Sequence, residues 1–161
     1  MSLEALALFR SFQKAFLAIS LIMLAGCGHA PAVDPTPSLG SRAADQALTM
    51  VGKPYRYGGN TPKGFDCSGL VQYSYGRVGI KIPHGTRNLL RASHPISRSN
   101  LQRGDLVFFT QEGRKSSHVA LYLGGNRFVH SPSSGKNVYV AGFNDPYWQR
   151  HFTEARRLEI D

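Results

Sequence analysis

Apolar residues are arranged in three different ways along this 161-residue chain. Residues 15–26, AFLAISLIMLAG, form an unbroken apolar run. Further on, Ala43, Ala44, Ala47, Leu48 and Val51 recur at helical spacing, and Cys67, Leu70, Val71, Ser74 and Val78 share one helical face. Ser41 is a cap for the first helix, and Gly52 and Pro54 are its stop signals. The glycine- and proline-containing stretch 53–66 between the two reads as a loop, and residues 81–97 as partly helical. From residue 104 the pattern turns to short β-rich stretches: GDLVFF (104–109), HVALYLG (118–124), RFVHS (127–131), VYVAGF (138–143) and a weaker ARRLEI (155–160). Glycine, asparagine and serine turns separate them. Helices first and strands after predict an α+β fold, with the cysteine helix packed on an antiparallel sheet of about five strands.

The first apolar run is too short to cross a bilayer as a mature helix, which takes about 20 residues. Preceded by Arg10 and Lys14, it suits the apolar core of an export signal. It ends in LAGC, residues 24–27, which resembles a bacterial lipoprotein box. That resemblance implies cleavage before Cys27 and acylation of its thiol and new amine, and several acyl chains give stable anchoring. The division expected is a signal at 1–26, a lipidated Cys27 with a proline-rich tether at 27–40, and one domain at 41–161.

From Cys27 onward there are 17 Lys and Arg against 9 Asp and Glu. For an exported protein this balance points to an anionic cell-wall polymer or lipid surface rather than nucleic acid. With Cys27 lipidated, Cys67 is a lone thiol, which excludes a thiolate-rich metal site; no metal or organic cofactor is expected. A leftover cysteine in an exported protein is either reactive or paired between molecules.

Cys67 opens a helix, where the dipole favours a thiolate. Nucleophilic chemistry also asks for an imidazole, and the domain holds His84, His94, His118, His130 and His151. His118 opens one strand and His130 closes the next, with GGN between them. A three-residue turn with Leu123 opposite Arg127 would set Ala120 opposite His130 and put both rings on one sheet face, within diagonal reach. A two-residue turn would send them to opposite faces. One histidine could then serve Cys67 as base, and the other could orient it. Singly, each residue also fits a plain packing role; the conjunction is the specific signal.

The stretches GKPYRYGGNTPKGFDCSGLVQYSY, LQRGDLVFF, SSHVALYLGGNRFVHS and YWQRHFTEARRL resemble the successive motifs of the NlpC-type peptidoglycan peptidases, papain-like cysteine hydrolases of bacterial cell walls. The resemblance runs from about residue 41 to 160. It implies Cys67 as nucleophile, His118 as general base and acid, and His130 as the orienting residue. It implies Tyr55 beside the active site at the oxyanion or substrate, and Asp66 and Ser68 at stem-peptide positions. The implied substrate is a peptidoglycan stem peptide, cut at γ-D-glutamyl–diaminopimelate or at a D-alanyl–diaminopimelate cross-link. The implied place is the outer membrane, facing the periplasm. In IPHGTRNLL the chain departs from the family pattern: His84 stands where an arginine is usual, and Leu89 near a usual glutamine. Rival readings are a non-catalytic murein-binding lipoprotein and a cysteine amidase or acyltransferase with another substrate.

Overall fold

The computed structural model describes residues 36–111 and 113–160. Cys27, the signal segment and most of the tether lie outside the described residues.

Helix α1 spans Leu39–Leu48 and starts earlier than expected, because Ser38 rather than Ser41 caps it: the Ser38 side chain accepts from the Ser41 amide. A two-stranded hairpin follows, β1 (Asn60–Thr61) and β2 (Gly64–Phe65), in the stretch read as loop. Helix α2 is Cys67–Gly76 and α3 is Thr86–Arg91. The main sheet comprises β3 (Ser93–Ile96), β4 (Leu106–Gln111), β5 (Arg114–Gly124), β6 (Arg127–His130), β7 (Tyr139–Gly142) and β8 (Phe152–Leu158). A short helix, α4 (Pro146–His151), precedes β8.

The sheet has six strands in the order β3-β8-β4-β5-β6-β7, with every neighbour pair antiparallel. The α+β expectation holds; the sheet gains β3 from the region read as partly helical. Leu106, Val107, Phe108 and Phe109 are all fully buried. A continuous apolar run of this kind marks a strand covered on both faces. Leu106 and Phe108 pack with Val119, Leu121, Leu70 and Val71, beneath α1 and α2. Val107 and Phe109 turn the other way, to Ala120, Phe128, Phe143 and Trp148.

One glycine decides how α2 meets the preceding loop. A Cβ on Gly69 would lie 1.9 Å from the Gly59 carbonyl oxygen. The missing side chain admits the 52–59 loop against the start of the cysteine helix.

Candidate active site

Cys67 is the first helical residue of α2, directly after its cap. The Asp66 carboxylate accepts from the Gly69 amide at 2.7 Å and the Ser68 hydroxyl at 2.9 Å. It also accepts from the Gly58 amide at 3.1 Å. His84 Nε2 stands 3.0 Å from both of its oxygens. Asp66 thus ties three segments together: the start of α2, the glycine loop and the turn that leads into α3. Sequence reasoning gave His84 no role, since its partner lies 18 positions upstream and no local pattern marks the pair.

The two histidines of the β5–β6 hairpin meet as required, with His118 Nε2 2.8 Å from His130 Nδ1. The turn achieves this by another route than the expected three-residue loop. Gly125 and Asn126 both have a φ of 59°, the left-handed pair of a two-residue turn. A bulge between Tyr122 and Gly124 then inserts one residue, so that Gly124 rather than Leu123 faces Arg127. Tyr122 pairs with Phe128 and Leu121 with Val129, the register in which Ala120 would follow opposite His130. Turn plus bulge has the same parity as a three-residue loop, which keeps both rings on one face.

Both imidazoles are buried, among Phe109, Phe128 and Trp148, and Tyr139 lies 4.3 Å from the His130 ring. Burial disfavours the imidazolium and holds His118 down to about 4. His130 lies far below the ordinary imidazole range, first by burial and then by the neighbouring His118 and Lys136.

Val119 of β5 directs its backbone amide at the Cys67 sulfur, and the amides of Ser68 and Cys67 itself do the same. The thiol thus lies against the His118–Val119 step of β5. Burial nonetheless pushes it up to about 11, with the Asp66 charge adding to the rise and the three amides opposing it. The sequence reading expected a thiolate held by the helix dipole beside an imidazolium. Desolvation outweighs the dipole here, and the resting pair is a neutral thiol and a neutral imidazole.

Tyr55 sits in the loop that pairs with both Phe65 and the 136–138 segment: its amide bonds Lys136 O at 2.9 Å, and it bridges to Phe65, two residues before Cys67. Ser131, which sequence reasoning passed over, is fully buried, and its hydroxyl donates to Phe65 O at 2.7 Å. That bond joins the residue after His130 to the segment before Cys67. Among the described residues, no group of three His, Cys, Asp or Glu side chains gathers to hold a metal ion.

A cysteine on a helix start, a paired imidazole on a hairpin and an antiparallel sheet are the makings of a cysteine peptidase. Residues 52–157 match the NlpC/P60 family, and the chain belongs to it. It is 45% identical over 121 residues to the murein DD-endopeptidase MepH of Escherichia coli (strain K12), an alignment covering 72% of this chain and 45% of that protein. The probable endopeptidase NlpC of the same strain is 36% identical over 148 residues, 87% of this chain and 96% of that one. Among solved structures, an NLP/P60-family protein from Staphylococcus aureus subsp. aureus Mu50, described as similar to lipoprotein, superposes with a TM-score of 0.67 at 36% identity. That superposition covers 80% of this chain and 45% of the other. The chain therefore spans under half the length of MepH.

Proposed function

We propose that this chain is a murein peptidase that cuts a peptide bond in peptidoglycan stem peptides, at a cross-link between two stems. The carrying observation is the sulfur set beside the His118–Val119 step, with His118 hydrogen-bonded at 2.8 Å to His130. The cross-link reading is supported by the murein DD-endopeptidase name of the 45%-identical relative.

With His118 Nε2–H donating to His130 Nδ1, a bond that a neutral His130 can accept, His118 Nδ1 is left as the basic nitrogen. The Cys67 S–H proton passes to that nitrogen as sulfur attacks the scissile carbonyl carbon. The amides now aimed at the sulfur, those of Cys67 and Ser68, become donors to the oxyanion, each typically worth about 10²–10³ in rate. The C–N bond breaks as His118 returns the proton to the leaving amine. Water, deprotonated by His118, then opens the thioester. Asp66 holds the helix start, and Tyr55 lines the approach.

The test is digestion of cross-linked muropeptides by the full-length chain and its Cys67→Ala variant under reducing conditions, read by mass spectrometry. The expected result is conversion of cross-linked dimers to monomers by the wild type alone. Equal product from both, or none from either, overturns the proposal.

The same reading places the domain on the outer membrane through acylated Cys27, with 28–40 as a tether, on the support of LAGC and the apolar run before it. Labelled palmitate is expected on the wild type and not on Cys27→Ala. Equal labelling would remove the anchor.

A further inference from the structure

A cavity of about 480 Å³ opens between the start of α3 and the first residues of β5. Its lining includes Thr86, Arg87 and Asn88 on one side and Lys115, Ser116 and Ser117 on the other. Each side adjoins the candidate site along the chain. Ser117 precedes the base His118, and Gly85, also on the wall, follows His84, whose ring holds Asp66.

The floor is built rather than loose. Ser116 is buried and adopts a φ of 51°, unusual for a residue with a side chain. Its hydroxyl meets Thr153 Oγ1 and Glu154 Oε1, each at 3.0 Å. Glu154, the acid behind the floor, is already paired with Arg156 at 2.9 Å. Ser117 is committed to the Gln111 backbone, and Asn88 donates to the His84 carbonyl. Arg87 and Lys115 are exposed, and among the described residues neither pairs with an acid. Arg114 also lines the cavity and has a partner of its own. Among the described residues, none that lines the cavity is acidic. A volume within the range of about 300–1,000 Å³ suits a ligand fragment.

We infer that this cavity is a carboxylate subsite, in which Arg87 and Lys115 hold a free carboxylate of the substrate peptide beside the scissile bond. The inference rests on the murein reading, whose stem peptides carry carboxylates on diaminopimelate and at their D-alanyl ends. It makes Arg87 and Lys115 specificity residues for the charge state of the stem.

The experiment compares the full-length wild type with an Arg87→Gln/Lys115→Gln double variant, on a stem peptide with free carboxylates and on the same peptide amidated. The double variant is expected to raise KM about tenfold on the free-carboxylate peptide, with kcat within about twofold. Amidation is expected to raise KM for the wild type by a similar factor and to leave the double variant unmoved. An unchanged KM, or an amidation penalty equal in both proteins, overturns the subsite. A second arm measures binding of the free-carboxylate peptide by calorimetry in a Cys67→Ala background. Binding weakened by the double substitution supports the subsite even where no cleavage is found, an outcome that would sink the murein peptidase reading alone. Binding that is equal in both, or absent from both, sinks the subsite.

Discussion

With His118 changed to glutamine, hydrolysis at pH 7 is expected to fall about 10²–10⁴-fold, the usual range for loss of a general base, and the residual rate to climb about tenfold per pH unit toward pH 10. The pH dependence follows from the state of the sulfur. Burial holds the thiol at about 11, so the ionised fraction at pH 7 is on the order of 10⁻⁴ when nothing takes its proton. In the wild type His118, held down to about 4, stays unprotonated throughout the neutral range and takes the proton only as sulfur attacks, so the wild-type profile is expected to be flat from pH 6 to 9. Rate profiles of the two proteins on one muropeptide decide the matter. A variant whose residual rate ignores pH would show that the sulfur is ionised without His118. The neutral resting pair also implies slow alkylation of the wild-type thiol by iodoacetamide at pH 7 in the absence of substrate.

Acid is expected to unfold this domain early. His118 and His130 both have folded-state values below the ordinary imidazole value of 6.5, chiefly through burial. The unfolded chain therefore binds more protons than the folded one once the pH drops below 6.5. The stability these residues contribute is complete above that value and is lost as the pH falls toward 4 and lower. Two such groups give a slope of about 3 kcal/mol per pH unit, or about 4 kcal/mol between pH 7 and pH 5. That is a large share of the 5–15 kcal/mol, roughly, that holds a domain together. Urea midpoints at pH 7, 6 and 5 measure it. In His130→Asn, which keeps an acceptor for His118 Nε2–H, the slope should be about halved. A variant as acid-sensitive as the wild type would mean that other groups carry the effect. Loss of activity on acidification should therefore track unfolding and not protonation of the base, whose own value is lower.

The parts of the fold that could be read from the chain are those in which one periodic pattern spans a whole element. Cys67, Leu70, Val71 and Ser74 mark α2, and the strands from Leu106 onward show as apolar runs between turn residues. The pairing of His118 with His130 was legible through parity alone, since a two-residue turn with a bulge and a three-residue loop give one register. Strand β3 was not legible: SHPI contains a proline and becomes a strand only because β8 offers it an edge. Helix α4 did carry a local signal, with Asp145 capping and Pro146 at the first helical position. The contacts His84–Asp66 and Ser131–Phe65 join distant segments and leave no mark on local spacing. The charge state of the thiol was misread for a related reason. A helix start is visible in sequence, but the degree to which it is buried is not.

The hydroxyl that Ser131 lends to the Phe65 carbonyl spans 66 positions of chain, from the end of the histidine hairpin to the threshold of the cysteine helix. A polypeptide that has formed only its early helices owns a sulfur with no partner to deprotonate it, and a lone hairpin owns a base with nothing to activate. Competence arrives only when the two halves latch, so a nascent or half-unfolded copy is chemically mute. The pairing of sulfur and imidazole is thus a property of the finished fold and of neither half alone.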